Sequence, residues 1–260
     1  MSDFTENNRQ YFEKMASTYN DEFKEFIEKN CTEVLSRRAW ISDTWTDTES
    51  GQGREIKMLE YACGPGPISM TLAPFVSKII GMDVSDGMIS EFNKNAKDAG
   101  LVNKMTGVKA DLLAESVAEE LSAEEYTNFD LVVVSMALHH FENPELALAR
   151  LSERLKKGGV LLVLEILAAG DHHGHHGHHH NHHHHHHHDE QHDSAHGKLD
   201  FGDAEHTIGS HGFTLERIQQ LYEEAGVGLN FRSEVLEHQM TFKIHQKLPK
   251  ALFLARGQRC

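Results

Sequence analysis

Two unbroken runs of apolar residues constrain the fold more than any other feature of the sequence. The run at 129–135 reads Phe-Asp-Leu-Val-Val-Val-Ser, and the run at 160–164 reads Val-Leu-Leu-Val-Leu. Neither run alternates apolar with polar residues over its centre, so each is typical of a strand that is covered on both faces. Strands of this kind belong to parallel sheets with helices on both sides. We therefore predict an α/β fold.

The other strands and helices alternate along the chain, as an α/β fold requires. Further strands are predicted at 56–61, 78–84, 105–110, 229–237 and 251–256, and the last two could form a hairpin. Helices are predicted at 4–29, 66–76, 85–100, from 143 to a stop at 156–159, and at 214–226. Ser85 and Thr214 are the expected N-caps of two of these helices.

The charge and cysteine usage exclude several classes of protein. The 260 residues carry a formal charge of −15, and no basic face is visible, which disfavours nucleic acid and anionic membranes as partners. The three cysteines are too few for a disulfide framework and indicate a reducing, cytoplasmic compartment. The N-terminus does not resemble a signal peptide, and the apolar stretch 160–169 is too short to span a bilayer.

Histidine is concentrated in one segment. Of the 22 histidines, 16 lie within residues 170–197, where Ala195 is the one apolar side chain. Such a segment cannot bury enough surface to offset the entropy of ordering, so we predict a disordered loop. Three interpretations stay open: a tolerated loop expansion, a multivalent site for Zn, Ni or Cu, and a pH-responsive loop.

The exit of the first predicted strand is the first candidate binding loop, because ligands of parallel sheets bind beyond the carboxyl ends of the strands. Gly64 and Gly66 allow close backbone approach there, and a helix N-terminus follows. A dinucleotide motif would need a third glycine where Ser69 stands. Glu60 would repel a diphosphate and attract an ammonium or sulfonium group. A nucleotide-dependent oxidoreductase is therefore disfavoured.

The exits of the next strands also carry polar residues. Asp83 could accept hydrogen bonds from both ribose hydroxyls, or it could be a helix cap. Asp111 could accept an adenine amine with Leu112 against the ring, or it could be a surface loop residue. His139 and His140 follow the fourth strand and could orient an acceptor or take its proton, or they could pack in the core.

Taken together, these motifs resemble the class I methyltransferases that use S-adenosylmethionine. The matching segments are 59–66 (Leu-Glu-Tyr-Ala-Cys-Gly-Pro-Gly), 81–85 (Gly-Met-Asp-Val-Ser), 109–112 (Lys-Ala-Asp-Leu), 129–135 and 155–161 (Leu-Lys-Lys-Gly-Gly-Val-Leu). The resemblance covers roughly residues 8–170 and 205–256. It implies a Rossmann-like, mostly parallel sheet of about seven strands, one of them antiparallel, with helices on both faces. It also implies an N-terminal helical lid at 1–50 and a methyltransferase domain at 51–260, with the histidine-rich loop inserted.

The resemblance assigns contacts to the cofactor, S-adenosylmethionine. The residues expected to contact it are Glu60, Ala62, Gly64, Gly66, Asp83, Asp111, Leu112, Ser135, Tyr11 and Tyr19. The first four would cradle its methionine part, Asp83 the ribose, Asp111 and Leu112 the adenine, and Ser135 the sulfonium end. Ala62 stands where the family commonly has glycine. Tyr11 and Tyr19 could close over the cofactor, or they could belong to the apolar face of a docking helix.

The implied activity is transfer of a methyl group to a small molecule by in-line displacement, which needs alignment and exclusion of water but no metal. The sequence lacks an Asn-Pro-Pro-Tyr motif for amino-group methylation. Residues 206–214 resemble a segment near the acceptor in the quinone-methyltransferase-like group, so His206 and His211 are acceptor candidates, and so is Glu165 at the fifth strand exit. The alternative function is a histidine-rich metal-binding protein on a methyltransferase-like scaffold. In either case the histidine segment leaves the sheet on the proposed active face.

Overall fold

The computed structural model describes residues 2–168, 202–240 and 250–260. The predicted loop at 170–197 lies outside the described residues. The protein folds around a sheet whose strands are Lys57–Tyr61 (β1), Lys78–Asp83 (β2), Met105–Lys109 (β3), Phe129–Ser135 (β4), Leu155–Ile166 (β5), Leu229–Met240 (β6) and Lys250–Gln258 (β7). Their order is β3-β2-β1-β4-β5-β7-β6. Strands β1 to β5 pair in parallel, and β7 is antiparallel to both β5 and β6. The predicted seven-stranded sheet with one antiparallel strand is confirmed.

Strand β4 shows why the sheet is buried on both faces. Val132 and Val134 belong to one apolar cluster, and Leu131 and Val133 belong to the other. Successive side chains of a strand point to opposite faces, so an unbroken apolar run supplies both cores.

Helices cover both faces of the sheet. They are Asp3–Met15 (α1), Tyr19–Glu22 (α2), Lys24–Ser36 (α3), Arg38–Ile41 (α4), Pro67–Leu72 (α5), Asp86–Asp98 (α6), Pro144–Arg154 (α7) and Leu215–Glu224 (α8). Buried residues of α3, α5 and α6 join the cluster on one face, and those of α7 and α8 join the other. The predicted N-caps are confirmed, because the Ser85 and Thr214 side chains accept hydrogen bonds from the first turns of α6 and α8.

The N-terminal segment differs from its prediction. A single helix over 4–29 is wrong, because the chain turns after Met15 and again at Phe23. The break lets α1 pack against α6 while α3 packs against α5.

The start of β5 also differs from its prediction. Residues 156–159 were expected to end the helix before it, but α7 ends at Arg154 and β5 begins at once. Leu155 pairs with Phe129, and the register then shifts before Leu131 pairs with Val160. The intervening residues bulge out of the pairing, with Gly158 at φ +76°.

None of the helices within the described residues is long and apolar enough to cross a membrane.

Candidate cofactor and acceptor site

A cavity of about 600 Å³ lies over the carboxyl ends of β1, β2 and β4. Helices α1 and α3 contribute its roof. Many residues expected at a binding site line it: Tyr19, Glu60, Ala62, Gly64, Asp83, Asp111, Ser135 and His140. The structure therefore brings together residues from four strand exits and from the N-terminal helices. Gly66, Leu112, Tyr11, His139, Glu165, His206 and His211 lie outside the lining.

Glu60 is a buried carboxylate at the end of β1, only 2% exposed. Its Oε2 accepts hydrogen bonds from the backbone N–H of Ser69 at 2.9 Å and from the Ser69 hydroxyl at 2.5 Å. Burial raises the pKa of Glu60 to about 7, the nearby Asp83 charge also raises it, and the Ser69 donors oppose this. Ser69, which the sequence marks only as a missing glycine, thus positions the carboxylate.

Asp83 ends β2 and faces the same cavity. Its Oδ2 accepts a hydrogen bond from the Gly64 N–H at 3.0 Å, and its Oδ1 accepts one from the Ser85 N–H at 2.9 Å. Burial raises the pKa of Asp83, and these backbone donors oppose the rise. The carboxylate therefore also ties the loop after β1 to the start of α6.

The loop after β1 is held in backbone conformations that favour glycine. Ala62 has φ +52° and Gly66 has φ +81°. A Cβ atom on Gly66 would lie 2.5 Å from the Phe92 ring, so this glycine allows α5 to pack against α6. Ala62 adopts the left-handed conformation in spite of its Cβ, at a strain cost of about 1–2 kcal/mol.

The loop after β3 forms the far wall. Asp111 accepts a hydrogen bond from the Leu113 N–H at 2.9 Å, and Leu112 is fully buried, with its N–H donating to the Tyr61 hydroxyl at 3.2 Å. Asp111 and Leu113 line the cavity, whereas Leu112 packs beneath it.

The two N-terminal tyrosines occupy different places. Tyr19 lines the cavity, and burial and the Asp83 charge raise its pKa to about 12, so it keeps its proton. The Tyr11 ring instead packs edge-on against His206, with centroids 5.7 Å apart.

Helix α1 is fixed over the site by Glu13. Its carboxylate accepts hydrogen bonds from the Ser85 hydroxyl at 2.7 Å and from the Gly87 N–H at 3.0 Å. These contacts lower the pKa of Glu13. A carboxylate at the N-terminus of α6 is also favoured by the helix dipole.

The two histidines after β4 have separate environments. His139 is buried, and its Nδ1 lies 2.7 Å from Oε1 of the fully buried Glu165. His140 lines the cavity, and its Nδ1 lies 2.9 Å from the Thr207 carbonyl oxygen. Burial, followed by the neighbouring His139, holds the pKa of His140 well below its usual range. Because the Thr207 carbonyl requires a donor, His140 is a neutral imidazole with its proton on Nδ1.

Part of the chain is similar to known proteins. Residues 59–163 match a family model described as a methyltransferase domain. The match covers less than half of the chain, and over that segment the chain resembles methyltransferases. The matched residues extend from within β1 to within β5 and include Glu60, Asp83 and His140.

Curated relatives resemble part of the chain. An uncharacterized methyltransferase of Schizosaccharomyces pombe is 33% identical over 123 residues, which are 46% of this chain and 42% of that protein. The ubiquinone/menaquinone biosynthesis C-methyltransferase UbiE of Blochmanniella pennsylvanica is 33% identical over 111 residues, which are 42% of this chain and 41% of that protein. The chain thus spans less than half the length of these relatives.

A solved structure with the same fold is the magnesium protoporphyrin IX methyltransferase of Synechocystis PCC 6803 with bound S-adenosylhomocysteine. Its TM-score is 0.61 at 13% identity, with 99% of this chain and 100% of that chain covered.

The three acceptor candidates predicted from the sequence do not lie together. Glu165 contacts His139 and the Ile166 N–H instead of the cavity. His206 is exposed beside α1, and His211 lies 3.4 Å from Glu205. None of the three lines the cavity, and their assignment as acceptor contacts stays a prediction.

Two asparagines in the roof of the cavity were missed by sequence reasoning. Asn8 and Asn30 line the cavity, are 7% and 4% exposed, and each has a buried Oδ1 without a hydrogen-bond partner. Asn8 falls one helical turn before Phe12, so helical spacing was a usable signal. Asn30 carried no signal in the sequence. The next residue, Cys31, contacts the Pro67 carbonyl oxygen, and this contact places that part of α3 beside the loop after β1.

Within the described residues, no group of three or more His, Cys, Asp or Glu side chains could hold a metal ion. The histidine segment, on which the metal-binding alternative depends, lies outside those residues.

Proposed function

We propose that this protein transfers a methyl group from S-adenosylmethionine to a small-molecule acceptor. The observation that carries the proposal is the pair of buried carboxylates, Glu60 and Asp83, that face one cavity from adjacent strand ends. Both lie within the residues that match the methyltransferase domain. We also propose that residues 1–50 act as the lid of a domain formed by 51–260.

The residues that line the cavity suit this cofactor. Glu60 and the unpaired Asn30 Oδ1 are acceptors for its ammonium group, and Asp83 is an acceptor for the ribose hydroxyls. Asp111 and Leu113 would border the adenine, and Ser135 the sulfonium end. When bound, S-adenosylmethionine supplies an electrophilic methyl group on a positively charged sulfur.

The chain's own groups align the acceptor and exclude water. Helices α1 and α3 cover the cavity, and this cover excludes water from the reacting groups. His140 presents the lone pair of its Nε2, because its Nδ1 is engaged by Thr207. This nitrogen can accept a hydrogen bond, or a proton, from the nucleophilic group of the acceptor.

The position of the cavity and the charge of the chain both favour a small acceptor. It lies under the N-terminal helices, and the chain's net charge of −15 opposes association with nucleic acid. We propose a cytoplasmic location from the sparse cysteines.

Calorimetry with S-adenosylhomocysteine tests the proposal. We expect binding to the unaltered protein, and about tenfold or greater weakening by Asp83→Asn, since hydrogen bonds to a charged acceptor contribute about 1.5–3 kcal/mol each. Asp98→Asn at the exposed end of α6 is the matched control and should leave the affinity unchanged. Absence of binding to the unaltered protein, or full affinity in Asp83→Asn, would contradict the proposal.

A further inference from the structure

One face of α1 lines the cavity and carries an unpaired acceptor. Thr5, Asn8 and Phe12 recur at helical spacing and all border the cavity. The Asn8 Nδ2 donates to the Phe4 carbonyl at 3.1 Å, which fixes the amide orientation and leaves the buried Oδ1 without a partner. An unsatisfied buried acceptor costs about 1–3 kcal/mol, so a ligand that donates a hydrogen bond here recovers that free energy.

This face of α1 lies next to His140, the residue that we propose contacts the acceptor. Phe12, one turn after Asn8, packs edge-on against His140, with ring centroids 5.0 Å apart. Phe141 and Leu146 line the cavity from the segment that follows His140. Asn8 therefore places a buried polar group beside the apolar side chains of Phe12, Phe141 and Leu146, an arrangement that orients a ligand rather than one that only encloses it.

The charges around the cavity have one sign. The charged residues among its described lining residues are Glu60, Asp83, Asp111, Glu115 and Glu142. That lining contains no lysine or arginine, and the neutral His140 adds no positive charge. Glu115 and Glu142 are exposed, so they act at the entrance, where like charges repel an approaching anion.

We infer that the acceptor is an uncharged or cationic molecule with an apolar body, that it donates a hydrogen bond to the Asn8 Oδ1, and that acceptors bearing carboxylate or phosphate are excluded. The inference rests on the proposed function, because it names the acceptor class of that same site.

Three indole probes of nearly equal shape test this selection. Tryptamine carries an ammonium group, tryptophol a hydroxyl group and indole-3-propionate a carboxylate on the same ring. Ligand-observed NMR measures their binding to the protein alone and to its complex with S-adenosylhomocysteine. We expect tryptamine to bind at least about tenfold more tightly than indole-3-propionate, a difference of about 1.4 kcal/mol, with tryptophol between them.

Variants assign the selection to the named residues. Asn8→Leu should weaken tryptophol about fivefold, and Asn8→Asp, which keeps an acceptor oxygen, should retain tryptamine binding. Glu142→Lys should reduce the preference for tryptamine over indole-3-propionate severalfold. Glu153→Lys makes the same charge change at an exposed position of α7 outside the cavity lining, and it should leave that preference unchanged.

Equal binding of the three probes, a preference for indole-3-propionate, or no binding of any probe in either state would overturn the inference. So would the same loss of preference in Glu142→Lys and Glu153→Lys, because a general charge effect would then explain it. Binding of S-adenosylhomocysteine is measured by calorimetry, independently of the probes. Failure of the proposed function therefore appears as lost cofactor binding, and failure of this inference appears as lost probe selectivity.

Discussion

Replacing Glu60 with glutamine should stabilise the fold while it weakens cofactor binding. A pKa raised from 4.5 to about 7 corresponds to roughly 3 kcal/mol against the charged carboxylate in the folded state. The folded protein binds this proton more tightly than the unfolded chain does. The stability that the folded protein gains from holding Glu60 protonated is therefore complete below the unfolded pKa. It is lost as the pH rises through about 7.

The Glu60→Gln variant removes the charge and keeps the shape. Its amide oxygen can still accept both hydrogen bonds from Ser69. We expect the free energy of unfolding to increase by up to about 3 kcal/mol near pH 8 and to change by less than about 1 kcal/mol near pH 5. Because the ammonium group would lose its carboxylate partner, the affinity for S-adenosylhomocysteine should fall about tenfold or more at the higher pH.

Urea unfolding at the two pH values, followed by fluorescence, measures the change. Glu153→Gln removes an exposed carboxylate and should show no pH-dependent gain. An equal change in stability for Glu60→Gln at both pH values, or destabilisation near pH 8, would refute the reasoning from burial.

Three other substitutions test separate parts of the structure. Gly66→Ala places a Cβ atom against the Phe92 ring at a backbone position with positive φ. It should lower the free energy of unfolding, measured by urea titration, by roughly 3 kcal/mol. Adding Phe92→Leu to this variant should recover part of the loss. Glu13→Gln weakens the charged contact with α6 and should accelerate trypsin cleavage of the N-terminal helices near neutral pH. In the unaltered protein the pKa of Glu13 is lowered, so a similar loosening of α1 should appear only as the pH falls into the acidic range. His139→Leu leaves the buried Glu165 without its imidazole partner and should cost about 3 kcal/mol by chemical denaturation, whereas a loss below about 1 kcal/mol would show that the pair is dispensable.

The sequence predicted those parts of the fold that depend on local pattern. Strand β4 occupies 129–135 as predicted, because an unbroken apolar run of that length has few other solutions. The helix stop at 156–159 failed for the opposite reason. Lysine and glycine end many helices, but here the pairing of Leu155 with Phe129 decides the boundary, and this contact is distant in sequence.

The candidate site was predictable to a similar extent. Glu60 and Asp83 lie at the carboxyl ends of the adjacent strands β1 and β2, so topology alone brings their side chains together. Asn8, Asn30 and Glu13 act through the packing of α1 and α3 on the domain, and the break that directs those helices depends on contacts far along the chain. Helical spacing marks the face of α1 that carries Asn8, but no local pattern in the sequence specifies what that face packs against.

Ser85 joins two functions within one residue. Its N–H binds Asp83, the expected ribose acceptor, while its hydroxyl binds Glu13 and so holds α1 in place. If a ligand bound to Asp83 alters these hydrogen bonds, ligand binding and the docking of α1 are thermodynamically linked, and such linkage is reciprocal. If a ligand tightens the docking of α1 by some factor, loosening α1 must weaken the ligand by the same factor. A substitution on the outer helix can therefore alter affinity without touching the ligand.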